Sequence, residues 1–295
     1  MEVVSSIRWL HRPKLRRPTL VAAFEGWNDA GDAASAAVRW LADRHGAEKI
    51  ATIDSEEFFD FTATRPHVQR NDDGERTIVW PDTELWSAAT SGASDIVVLV
   101  GAEPHLRWRS YCKAVLEVAT ALDCSMVLTL GALLSDVPHT RPTAVSGSAI
   151  DADLIERLDL ETSDYQGPTG IVGILQSACH EAGTPAASLW AAVPTYVSGA
   201  PSPKAMLALV ERSMTMLGLS IPTTDLQIAS AAYERQLDEL VADDDETAAY
   251  VAGLEEVIDA GEVHHPADDE DEINELADTD PEDLVEEVER FLRGD

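Results

Sequence analysis

Three short apolar runs, each leading through a polar loop into a helical pattern, most constrain this chain. They are residues 19–24 (TLVAAF), 95–100 (DIVVLV) and 125–130 (SMVLTL). Each is too short for a core helix and too uniformly apolar to keep one face in water, so each predicts a strand buried on both sides. After the first run, Ala, Val, Trp and Leu recur at helical spacing over 28–45. After the second, a turn at 101–104 leads into a helical segment over 107–122 that ends before the third run. Strand–helix–strand units return the chain to one sheet in parallel, which predicts a mostly parallel sheet covered on both faces.

Further along, a helix starts near 169–170 and runs to about 182, and 187–193 (ASLWAAV) reads as another strand of the same sheet. Residues 56–80 differ: aromatic residues, Pro66, the turn-like NDDG at 71–74 and a β-rich end predict a hairpin or edge insertion. Pro203 opens and Gly218 closes an amphipathic helix over 203–217. From 224 onward no strand signal remains, and helices are predicted over 224–241, 245–260 and 281–293. The expected organisation is an α/β core over 1–221, a helical extension over 222–261, and an acidic linker with a terminal amphipathic helix over 262–295. In that last helix Leu284, Val288, Phe291 and Leu292 form one narrow apolar stripe, a candidate partner-binding face.

Charge is concentrated at one end. Of the net −33, residues 221–295 carry −23, from 26 Asp and Glu against 3 Lys and Arg. Nucleic acid and anionic lipid are therefore not expected as partners, because both would be repelled. No apolar run approaches the ~18–20 residues of a membrane span, and the opening MEVVS has no signal-peptide pattern, so a cytoplasmic protein is expected. Cys112, Cys124 and Cys179 are odd in number and scattered, which predicts buried free thiols rather than a disulfide framework or zinc site. No metal or cofactor is expected.

In open parallel sheets, ligands gather at the carboxyl ends of the strands. The loops there are polar: FEGWNDAGD (24–32), GAEPHLRW (101–108) and LGALLSDVPHTRP (130–142). Together they offer Glu25, Asn28, Asp29, Asp32, Glu103, His105, Arg107, His139 and Arg141. One reading is a polar pocket where carboxylates and a histidine exchange protons and Arg141 holds an anion. The other is structural: Asn28 or Asp29 caps the helix, Glu103 pairs with Arg107, and His139 is a hydrogen-bonded loop residue. The helix start at GPTG, with Thr169 and Gly170, suits an anion but lacks the lysine of a phosphate loop. VSGSA (145–149) lacks the spacing of a nucleophile elbow.

At these loops the sequence resembles the proteasome assembly chaperone 2 family in its actinobacterial branch. The strings that carry the likeness are LVAAFEGWNDAGDAA (20–34), DIVVLVGAEPHLRW (95–108), LGALLSDVPHTRP (130–142), YQGPTGIVGIL (165–175), and SLWAAVPTYV with the following SPKA (188–205). The resemblance implies a three-layer α/β/α fold similar to purine nucleoside phosphorylases and other hydrolase-like α/β proteins. It also implies self-association, with a trimer as the first expectation, and relatives that help assemble the proteasome. It implies no known reaction, and it supplies no catalytic residues. Archaeal relatives engage the proteasome through a C-terminal hydrophobic-Tyr-any residue motif, whereas this chain ends Leu292, Arg293, Gly294, Asp295.

Two functions stay open. The first is a homo-oligomeric assembly protein, without recognisable catalysis, that binds itself and proteasome subunits or their ATPase. The alternative is an enzyme or binder of a nucleoside-like small molecule using the strand-end loops.

Overall fold

The computed structural model describes residues 6–71 and 74–260. The stripe of Leu284, Val288, Phe291 and Leu292, and with it the segment 262–295, lies outside the described residues. The first buried run is β2 (Thr19–Glu25), and its side chains alternate between two separate cores. Leu20, Ala22 and Phe24 face one; Val21 and Ala23 face the other. This period of two, apolar in both phases, is the signature of a strand covered on both sides.

The helices supply the covers. Helices α1 (Ala33–Arg44) and α5 (Pro203–Leu217) bury Val38, Leu41, Leu209 and Val210 in the core of Val21 and Ala23. Helices α2 (Trp108–Ala121) and α4 (Ile171–Glu181) bury Tyr111, Val115, Ile171 and Leu175 in the opposite one. Gly218, at φ 64°, caps α5 in the left-handed region where a side chain would strain the backbone.

The sheet corrects one expectation: it is mixed rather than mostly parallel. Only the four central strands, β7 (Ile96–Ala102), β2, β8 (Met126–Ser135) and β10 (Ala186–Pro194), run parallel, in that order. On one side β6 (Thr83–Ala88), β3 (Glu48–Ile53) and β1 (Ile7–Trp9) add antiparallel, and on the other β9 (Val145–Ala149) does the same. The link from β6 to β7 is too short for a crossover helix, so the chain reverses as a hairpin. These outer strands carry polar residues, as in EKIATI and VSGSA, and give no buried-run signal.

Between β3 and β6 the predicted hairpin forms a separate two-stranded sheet, β4 (His67–Arg70) with β5 (Arg76–Val79). A short helix, α3 (Ala152–Leu158), follows β9. The C-terminal helices α6 (Thr224–Ala242) and α7 (Asp245–Asp259) pack after α5, and Leu226 of α6 joins the core of α1 and α5. Among the described residues no helix is long and apolar enough to cross a membrane.

Candidate functional site

Glu103 organises the strand-end face. It follows β7, where its N–H donates to the Glu25 carbonyl (2.9 Å). Its Oε1 accepts from Asn28 Nδ2 and from the Ile171 N–H, both at 2.7 Å. Ile171 is the first residue of α4, so this carboxylate caps a helix N-terminus from a distant loop and meets its positive end. The loops after β2 and β7 and the start of α4 are thereby tied together.

Asn28 and Asp29 are both buried. The Asn28 carbonyl accepts from the Ala132 N–H (2.9 Å), which pins the loop to β8. Among the described residues Asn28 Oδ1 has no hydrogen-bond partner. Asp29 Oδ1 accepts from the N–H groups of Ala34 (2.7 Å) and Ser35 (3.1 Å) in the first turn of α1, and its Oδ2 is unpartnered among the described residues. Burial raises the Asp29 carboxyl above the usual range, against the lowering effect of the bonds from Ser35 and Ala34.

The side chains of the other candidates in these two loops stand apart from this hub. Glu25 pairs with Arg39 of α1. Asp32 precedes α1 at φ 51° without capping it through its side chain. Arg107 pairs with Glu57 (2.9 Å) rather than with Glu103, and His105 Nδ1 accepts from the Asp60 N–H (3.2 Å).

His139 and Arg141 belong to a second group. The His139 side chain is 1% exposed, with Nδ1 2.8 Å from the Tyr196 hydroxyl and Nε2 3.1 Å from Asp238 of α6. Its carbonyl accepts from Lys204, which also pairs with Glu234 of α6. Arg141 lays its guanidinium fork on Asp259 of α7 (2.9 and 2.7 Å) and reaches Glu255 (3.1 Å). The paired bonds hold Asp259 below the usual carboxylate range. Tyr250 of α7 donates to Asp136 (2.7 Å). The PHTRP loop thus fastens the C-terminal helices to the core.

Strand length separates the two groups. The β2–β8 ladder ends at Ala23 and Leu130, but β8 continues five residues to Ser135, paired with Pro194 of β10. At about 3.3 Å per residue that carries the following loop roughly 16 Å beyond the end of the β2–β8 ladder.

Thr169 and Gly170 join Asn28 at a different feature, a partly open cleft of about 190 Å³ between α4, β9 and β10. Its walls include Trp27, Ser146, Ser148, Tyr165, Ser188 and Trp190, none singled out by the loop reading. The alternation in VSGSA, which sets Ser146 and Ser148 on one face of β9, is the sequence signal for them. A Cβ on Gly170 would stand 2.4 Å from Asn28 Oδ1, and one on Gly131 would stand 2.3 Å from the Trp190 ring. Both glycines make room for cleft-lining side chains. Among the described residues no cluster of three or more His, Cys, Asp or Glu is placed to hold a metal.

Fold and site together define an α/β protein with a mixed eight-stranded sheet, a carboxylate-capped helix at its strand ends and a C-terminal helix pair clamped by an arginine. The chain belongs to the PAC2 family, which matches residues 23–241. A Streptomyces avermitilis PAC2 family protein is 47% identical, with a TM-score of 0.74, covering 79% of this chain and 99% of the relative. A Mycobacterium tuberculosis protein described as a proteasome-assembly chaperone homologue is 44% identical over 79% of this chain and 99% of its own, with a TM-score of 0.72. The fold is shared with a Pyrococcus furiosus protein described as an archaeal proteasome activator, at 18% identity, 79% and 97% coverage and a TM-score of 0.65. No curated protein matches the chain.

Proposed function

We propose that the protein is a cytoplasmic, homo-oligomeric binding factor for proteasome assembly or activation, with three copies as the expected assembly and with proteasome subunits or the associated ATPase as partners. The observation that carries this reading is the β4–β5 hairpin. All eight of its strand residues are exposed, and Val68 and Ile78 stand directly opposite each other at 52% and 57% exposure. Trp80 extends the apolar surface and rests on Phe61, ring centroids 5.0 Å apart. A two-stranded sheet is marginally stable alone, and an exposed apolar patch on such an element marks a surface made to be covered.

The description of the Mycobacterium tuberculosis relative as a proteasome-assembly chaperone homologue supports the choice of partner. The strand-end charges agree with a scaffold, since Glu103, Asp29 and Arg141 are each engaged in holding helices in place. Helices on both faces of the sheet suit the three-layer, phosphorylase-like class.

The test is sedimentation of the full chain, alone and with isolated proteasome α- and β-subunits or the ATPase. Self-association and a mixed complex are expected, and Val68→Glu with Ile78→Glu should abolish one or both. A monomer that binds none of these components refutes the reading.

A further inference from the structure

The cleft beside α4 is not explained by protein binding. It is lined from five separate parts of the chain, and its floor is built with close tolerances: Gly170 and Gly131 are each too near a lining side chain to carry a Cβ. At about 190 Å³ it exceeds the roughly 150 Å³ that accommodates benzene, so one aromatic ring with a polar substituent fits.

The lining defines the chemistry of that ring. Trp27, Trp190 and Tyr165 supply aromatic walls. Asn28 is 1% exposed; its amide nitrogen is committed to Glu103, which leaves Oδ1 as an acceptor with no partner among the described residues. A buried acceptor left unmatched costs free energy that a ligand donor would recover. The α4 N-terminus opens on the cleft, but Glu103 already occupies its positive end. Glu161 and Asp164 stand among the lining residues, and among the described residues no Lys or Arg does. An anion would meet those two carboxylates there, with Glu103 behind Asn28 and the first turn of α4.

We infer that this cleft is a binding site for a small planar ligand that presents N–H donors and carries no negative charge, the chemistry of an aromatic amine or amidine. The donor meets Asn28 and the carboxylates, while the ring lies against Trp190 and Trp27. The site is independent of the hairpin and of the partner reading.

Benzamidine and benzoate share size and shape but have opposite charge and opposite hydrogen-bond polarity. Saturation-transfer NMR on the full chain should show benzamidine binding at least about tenfold tighter than benzoate, and Asn28→Ala should weaken it about fivefold, the loss expected for one hydrogen bond. Ser148→Phe, which places a ring in the cleft from the edge strand β9 and leaves the Asn28 side chain itself unchanged, should abolish binding while leaving the melting temperature near that of the parent. Benzoate binding as tightly as benzamidine overturns the inference in favour of an anion site. Binding that survives Ser148→Phe overturns it as surface attraction to an acidic protein. No benzamidine signal up to about 10 mM, weak even for a ligand of this size, overturns it outright.

Discussion

Gly170→Ala is the sharpest test of how the strand-end face is held together. Gly170 has an ordinary φ of −87°, so alanine meets no backbone strain there. The obstacle is space: the new methyl would stand 2.4 and 2.5 Å from Asn28 Oδ1 and Nδ2. Asn28 cannot yield cheaply, because it is buried and its Nδ2 holds Glu103 at 2.7 Å. Overpacking of a tight interior costs about 1–3 kcal/mol, and loss of a hydrogen bond to a charged group about 1.5–3 kcal/mol. One of these routes must be taken, so about 2–3 kcal/mol is expected, or a fall of about 5–10 °C in Tm. Alanine in place of glycine at a helix cap itself costs under about 1 kcal/mol. Urea denaturation followed by circular dichroism separates the two when Gly170→Ala is made alone and again with Asn28→Gly. With Asn28 removed the alanine should cost only the cap difference, leaving a coupling of about 1–2 kcal/mol. Equal costs in both backgrounds would refute the argument.

Asp29 sets a pH dependence. Its folded carboxyl lies above the unfolded value because burial dominates, so the native state binds the proton more tightly. Its contribution is fully present below the unfolded value and is lost as pH rises through the raised folded value. Asp29→Asn should therefore gain on the parent as pH climbs from 4 to 8 in urea titrations; a constant difference would contradict this. Arg141→Met should release α7, seen as faster amide exchange over 245–259 with α2 and α4 unchanged, whereas uniform protection would show that Asp259 and Glu255 do not hold that helix. Burial pushes the thiols of Cys112, Cys124 and Cys179 up to about 12. Neither Cys112 nor Cys179, both buried, should react with Ellman's reagent at pH 8 in the native protein, and both should react in urea, so rapid native labelling of either would show that its site opens.

What could be read from residues alone was local. The runs at 19–24, 95–100 and 125–130 are strands because each is a short, largely apolar run between polar loops, too short for a helix and buried on both sides. The helix over 203–217 was bounded by its own Pro203 and Gly218, both of which act through backbone geometry at a single position. Strands β3, β6 and β9 were hidden because their alternation is diluted by polar residues and their pairing is decided by partners far along the chain. The strand-end loops could be recognised as polar, and the PHTRP and GPTG strings as distinctive, since composition and order are properties of sequence. Their assignments could not. Whether Arg141 faced Glu103 or Asp259 depended on five extra residues of β8 and on where α7 came to rest, neither of which is encoded near position 141. Likewise, Glu103 became a cap for α4 only because folding carried Ile171 to within 2.7 Å of a carboxylate 68 residues earlier, and Asn28 acquired an unmatched oxygen only because that carboxylate turned its amide.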